Sequence, residues 1–155
     1  MWLEKRILVP TDFSDPARAA ARVGLELAQR YGVPLVLLHV FGVGDQAYAG
    51  ANLTLTNDFV RSVASSARRA LNEEAAALAN QGVNISAVLN EGIPWEQILT
   101  TAQMTGADLI IMGTHGRRGV ARAVLGSVAE RVVRLSPIPV LTVHEKAADD
   151  RGAQA

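Results

Sequence analysis

The chain has 155 residues, 49% of them hydrophobic and 19% charged, with fifteen Lys and Arg against fifteen Asp and Glu. A chain of this size suits a single domain that buries roughly 70% of the surface its unfolded form exposes, without covalent staples. Its apolar content and zero net charge exclude a disordered chain and argue against a nucleic-acid coat or a membrane-surface binder. The absence of cysteine excludes disulfides, thiolate nucleophiles and cysteine-held metal centres.

Residues 1–6 (MWLEKR) run straight into a strand-like segment and lack the apolar stretch and small-residue cleavage site of a secretory signal. The longest strongly apolar stretch, 33–43, contains Pro34, His39 and Gly42 and falls well short of the roughly 20 residues of a membrane span. The expectation is a soluble cytoplasmic protein: one domain over 1–155, its core at 4–144 and a flexible tail at 145–155.

The first strand is predicted at 6–10 (RILVP). A helix follows, with Ser14-Asp15-Pro16 as cap and first turn and Gly32 as its stop before Pro34. Its inward stripe is Ala17, Ala20, Ala21, Gly24, Leu25 and Ala28. The second strand is 35–40. Residues 41–56 hold three glycines and no clear period; too long for an ordinary connector, they read as functional or mobile. An Ala-rich helix then runs over 57–81 to Gly82. The segment 83–90 alternates, with Val83, Ile85, Ala87 and Leu89 against Asn84, Ser86 and Asn90, and reads as a less deeply buried strand. Ile93-Pro94-Trp95 opens a third helix that closes at Gly106. The fourth strand is 108–112 (DLIIM), the last helix 127–135 with its stop at Ser136-Pro137, and the last strand 139–143.

Four of the five strands are continuous apolar runs, as in a parallel sheet buried on both faces. Strands alternating with helices imply right-handed crossovers and an α/β fold with helices on both sides. In such sheets ligands bind beyond the carboxyl ends of the strands, where the strand order reverses. That narrows the search to Pro10-Thr11-Asp12, the loop from Phe41, and the segment 113–127.

The last of these is the richest. Gly113 and Gly116 follow a strand, and Gly126-Ser127 opens the final helix. Glycine lets main-chain N–H groups approach a ligand, and a helix start adds unpaired donors with partial positive charge. Arg117, Arg118 and Arg122 could neutralise a polyphosphate. A ligand-free reading stands beside this one: Ser127 and Glu130 have the spacing of a capping box. Asp12 could cap the next turn, His115 could belong to a turn, and adjacent arginines often face solvent. His39 reads as a hydrogen-bonded core histidine, His144 as a surface or interface residue and Trp95 as a packed one. Three scattered histidines make no metal site. Two rival motifs are absent: the only lysines, Lys5 and Lys146, lie outside any glycine loop, and no GxGxxG follows the first strand.

Gly113-x2-Gly116-x9-Gly126-Ser127 resembles the G-2x-G-9x-G-(S/T) signature of the nucleotide-binding universal stress proteins. The resemblance extends to Ile7-Leu8-Val9-Pro10-Thr11-Asp12-Phe13-Ser14, to Ala107-Asp108-Leu109-Ile110-Ile111-Met112-Gly113 and to Pro137-x-Pro139-Val140-Leu141. It implies a single-domain Rossmann-like sheet of five parallel strands in the order 3-2-1-4-5, and an ATP-type ligand with Mg²⁺ or Mn²⁺. Carried over by position, Asp12 would contact the nucleoside end, with Pro10 and Thr11 shaping that wall. Val40 would meet adenine through its backbone. Met112 and Gly113 would lie along the ribose, and Gly116, Gly126, Ser127 and Val128 would hold phosphates, with His115 beside them. Apart from the resemblance, at least one of Arg117 and Arg118 is expected to reach phosphate. Ala129 stands where such proteins often carry a hydroxyl. A homodimer through the last strand, with Val140 and His144 at its ends, is also implied.

The function expected is nucleotide-dependent regulation in a stress response, with at most slow ATP hydrolysis, since neither a P-loop lysine nor paired metal carboxylates are evident. The alternatives are a phosphohydrolase or nucleotidyl-transfer enzyme using His115 with Arg117 and Arg118, and a nucleotide-free dimeric scaffold.

Overall fold

Apolar runs become strands here because both of their faces are covered. In the computed structural model, which describes residues 2–42, 57–79, 81–115 and 125–145, five strands form one sheet. They are β1 (Ile7–Pro10), β2 (Leu35–Phe41), β3 (Ile85–Glu91), β4 (Leu109–Gly113) and β5 (Val140–Val143), all parallel, in the order β3-β2-β1-β4-β5. Among the described residues four helices alternate with them: α1 (Asp15–Tyr31), α2 (Asn57–Ala79), α3 (Pro94–Thr105) and α4 (Ser127–Leu135).

Successive side chains of a strand point to opposite faces, and the core divides accordingly. Ile7, Val9, Leu35, Leu37, Leu109 and Ile111 meet Ala20, Ala21, Leu25 and Ala28 of α1 and Leu71 of α2. Leu8, Val36, Leu38, Ile110 and Met112 meet Ile98 and Ala102 of α3 and Ala129 and Val132 of α4. Each face therefore has its own pair of helices. The small-residue stripe of α1 lets it lie close to the sheet: a Cβ on Gly24 would stand 2.8 Å from Val9 Cγ2.

Helix ends follow their local chemistry. Ser14 caps α1 by accepting the N–H of Ala17, and Gly32 ends it in the left-handed region at φ 67°. Gly106 ends α3 the same way at φ 64°. Strands β2 and β4 each reach one residue past their predicted ends, because Phe41 pairs with Glu91 and Gly113 with Val143. The alternating segment forms β3, a strand without a fully buried residue, as its pattern implied, and it lies at the sheet edge. The last strand departs from its continuous apolar pattern: it too lies at an edge, and Leu141 is 40% exposed. Residues 43–56, Gly116, Arg117, Arg118, Arg122 and the tail beyond Glu145 lie outside the described residues. Among the described residues, no helix is long and apolar enough to cross a membrane.

Candidate functional site

The strand order turns at β1, which has β2 on one side and β4 on the other. The chain leaves the sheet immediately after Pro10. Thr11 makes the last ladder bond, N–H to the Leu38 carbonyl at 2.8 Å. Backbone groups alternate in direction along a strand, and the Pro34 and Leu38 carbonyls both face β1. The N–H and C=O of Val40 therefore face the same way, where β1 has already ended. Among the described residues no hydrogen bond is made to them.

The turn after β1 is tightly specified. Asp12 Oδ1 accepts the Ser14 N–H at 3.0 Å and also the Ser14 hydroxyl. The turn-capping reading of Asp12 is thus realised in the structure. Thr11, 5% exposed, accepts the Phe13 N–H on Oγ1 at 3.1 Å and donates that hydroxyl to Glu74 Oε1 of α2 at 3.0 Å. The Thr11 carbonyl accepts the Nδ1–H of His39 at 2.7 Å. Phe13 stands at φ 67°, in a region that a bulky residue rarely enters, with its ring 4.4 Å from the His39 ring. Backbone strain of this kind persists only where the surroundings hold it. Here they are Thr11, Ser14, His39 and Glu74. Burial pushes the Glu74 carboxyl above its usual range, partly offset by the Thr11 hydrogen bond and the Arg18 charge.

The β4 end forms the opposite wall. Gly113 is packed against the start of α1, where a Cβ would lie 2.8 Å from the Pro16 carbonyl carbon. Its lack of a side chain thus serves helix packing, whatever else it allows. Met112 is 6% exposed with its side chain in the α3/α4 core, so only its backbone can line the crevice. Thr114 follows, 2% exposed, its carbonyl accepting the Gly126 N–H at 2.6 Å. This bond sets the start of α4 beside the end of β4. His115 Nε2 is shielded from solvent and has no hydrogen-bond partner among the described residues.

At α4 the capping-box reading fails. The N-cap is Gly126, with no side-chain cap, and Ser127 is the first helical residue. A capping box needs the hydroxyl one position earlier. The first intrahelical bond is Glu130 N–H to the Gly126 carbonyl at 2.8 Å. The N–H groups of Ser127, Val128 and Ala129 consequently have no acceptor among the described residues. Ser127 is exposed, Val128 half-buried and Ala129 buried.

The structure thus brings Pro10, Thr11, Asp12, Val40, Gly113, His115, Gly126, Ser127 and Val128 to the carboxyl edge of β1, β2 and β4 and the start of α4. His39 is the hydrogen-bonded histidine its strand position predicts, and Trp95 packs on the α3/α4 core with the Arg131 guanidinium 5.4 Å from its ring centroid. Glu74 and Thr114 were not singled out in the sequence. Glu74 sits in an Ala-rich helix whose pattern shows only periodicity, and Thr114 is one threonine inside a glycine-bearing loop.

A model of the universal stress protein family matches residues 4–144. The chain belongs to that family. It is 33% identical over 145 residues to universal stress protein MJ0531 of Methanocaldococcus jannaschii, covering 92% of this chain and 84% of that protein. It shares 38% identity over 142 residues with a universal stress protein of Thermus aquaticus, covering 90% of this chain and 98% of the relative. Among solved structures, a universal stress protein in complex with cAMP is 26% identical, with TM-score 0.60, over 92% of this chain and 98% of that one. The five-stranded parallel fold expected from the resemblance is therefore shown. At least one member of the family binds an adenine nucleotide in that fold.

Proposed function

We propose that this universal stress protein binds ATP or a related adenine nucleotide in the crevice between β1 and β4 and acts as a nucleotide-dependent regulator. One observation carries the reading: the three consecutive N–H groups of Ser127, Val128 and Ala129 at the start of α4 have no acceptor among the described residues. Unpaired amides with the positive end of a helix dipole favour phosphoryl oxygens. The shielded Nε2 of His115, without a partner among the described residues, belongs to the same end of the site and fits a ligand oxygen. The open N–H and C=O of Val40 offer a donor and an acceptor side by side, as the edge of adenine requires. Asp12, anchored through Oδ1, is assigned to the nucleoside end. Gly116 and Arg117, which lie outside the described residues, are assigned to the phosphates on their sequence positions alone.

Binding without rapid hydrolysis fits this set. Phosphoryl transfer needs a placed water or acceptor and cations on the developing charge. A divalent cation, Mg²⁺ or Mn²⁺, would depend on the phosphate oxygens for its ligands, because among the described residues no three His, Asp or Glu side chains meet. Pairing of β5 with a second copy would cover an edge strand that leaves Leu141 exposed, and a cytoplasmic location accords with such a ligand.

Mass spectrometry of the supernatant after denaturing the purified protein, with calorimetric titration of ATP, AMP and cAMP, tests the reading. A bound adenine nucleotide or saturable heat is expected. Gly126→Val should remove it while circular dichroism keeps the native α/β signal. A folded wild type that releases nothing and gives no heat with any of the three would overturn the proposal.

A further inference from the structure

Thr114 joins three elements through its three polar groups. Its N–H donates to the Val143 carbonyl of β5 at 3.1 Å, and its carbonyl accepts the N–H of Gly126 at the cap of α4. Its hydroxyl lies 3.1 Å from His115 Nδ1 and 3.0 Å from His144 Nδ1. The two rings are 5.9 Å apart between centroids. A hydroxyl carries one hydrogen, so it can donate to only one of the two nitrogens. The other must donate to it. When both imidazoles are neutral and both bonds are made, the rings hold opposite tautomers.

The shielded Nε2 of His115 decides which way the chain runs when no anion is present. A buried N–H without an acceptor is rarer than an under-satisfied buried acceptor. His115 then keeps its proton on Nδ1 and donates it to Thr114. The hydroxyl donates onward to His144 Nδ1, and the exposed His144 carries its own proton on Nε2.

We infer that His115, Thr114 and His144 form a hydrogen-bond relay that reports an anion at the α4 site to the exposed end of β5. This rests on the nucleotide reading above. A phosphoryl oxygen beside His115 Nε2 accepts an N–H there and fixes the proton on that nitrogen. His115 Nδ1 becomes an acceptor, the Thr114 hydroxyl turns to it, and His144 must donate through Nδ1. Each ring keeps one proton throughout. His115 passes the one on Nδ1 to the Thr114 hydroxyl, which hands its own to His144 Nδ1. His115 Nε2 takes one from water that enters with the nucleotide, and the exposed His144 returns that on Nε2 to water. The His144 Nε2 at the edge strand changes from donor to acceptor. A side chain there reverses its hydrogen-bonding sense with no movement of the backbone.

The test is the imidazole tautomer state, read from two-bond ¹H–¹⁵N correlations of histidine-labelled protein with and without saturating ATP. The measurement is made at about pH 9, well above the ordinary histidine value of about 6.5. His144 is expected to pass from mainly Nε2–H to mainly Nδ1–H on adding ATP. Thr114→Val should abolish that response, and Thr114→Ser should restore it. ATP binding in the calorimeter with an unchanged His144 tautomer in the wild type would overturn the relay alone. No ATP binding would overturn the relay together with the nucleotide reading. The wild-type comparison decides the matter even if Thr114→Val fails to fold.

Discussion

Gly113 and Pro16 are in backbone contact: a Cβ on the glycine would stand 2.8 Å from the proline carbonyl carbon and 3.0 Å from its oxygen. Neither atom can swing aside as the end of a flexible side chain could. Pro16 lies in the first turn of α1, so this contact ties the β4 end to the helix that begins after Asp12 and Ser14. Gly113→Ala should push that first turn off the sheet edge. A loss of about 1–3 kcal/mol in stability is expected from overpacking, read by urea denaturation. Nucleotide affinity should fall as well, because the Asp12 turn moves with the helix. An alanine variant of wild-type stability would show that α1 yields at no cost.

Asp108 holds the chain at the entry to β1. Its Oδ2 accepts the N–H groups of Glu4 at 2.9 Å and Lys5 at 2.5 Å. Burial pushes its carboxyl up. The Lys5 and Glu4 amides, the Lys5 charge and the Arg6 amide outweigh that and hold it below its ordinary value of 3.8. A carboxylate depressed in the folded state contributes stability above its unfolded value, and loses that contribution as pH falls through the folded one. The stability gap between wild type and Asp108→Asn should therefore be largest near neutral pH and shrink below about pH 4. Chemical denaturation of both across that range checks it; a gap independent of pH would remove Asp108 from the acid sensitivity.

Glu74 should behave in the opposite sense. Burial raises its carboxyl above 4.5, so the folded protein holds a proton that the unfolded chain has already released. Stability tied to this group is then complete below pH 4.5 and falls as pH rises through the higher folded value. Glu74→Gln cannot lose it. The variant should gain stability relative to wild type as pH rises above 4.5, while still offering its amide oxygen to the Thr11 hydroxyl. Glu74→Ala, which leaves that hydroxyl without its acceptor, should instead loosen the Phe13 turn and weaken nucleotide binding. Equal pH profiles for wild type and Glu74→Gln would count against the raised carboxyl.

The sheet order came with the family resemblance, but the positions of strands and helices were readable from the residues. Continuous runs such as Leu109 to Met112 can be covered only from both sides, and Ser14 and Gly32 mark the limits of α1 by their own backbone chemistry. The start of α4 was harder. The Ser127-to-Glu130 spacing suits a capping box, yet the bond from Gly126 N–H to the Thr114 carbonyl places glycine at the cap and moves serine into the helix. A contact between residues twelve positions apart decided between two local patterns. Thr11 to Glu74 was less legible still, since a carboxylate on α2 meets the β1 turn only once the layers have packed. Periodicity names the face of a helix. It does not name the partner across a layer.

The unfilled cap at Gly126 makes one further outcome specific. Gly126 stands at φ −57° and ψ 155°, a conformation open to any residue, so an aspartate there meets no backbone penalty. Its carboxylate would accept the free N–H of Val128 or Ala129 and oppose the helix dipole favourably. Gly126→Asp should stabilise the fold by a few tenths to about 1 kcal/mol. The same carboxylate would occupy the amides proposed for phosphate and repel it by charge. ATP affinity should therefore fall at least about tenfold, equivalent to about 1.4 kcal/mol. Thermal denaturation and calorimetry on one preparation check both signs together. Higher stability with undiminished ATP binding would place the nucleotide away from the α4 amides.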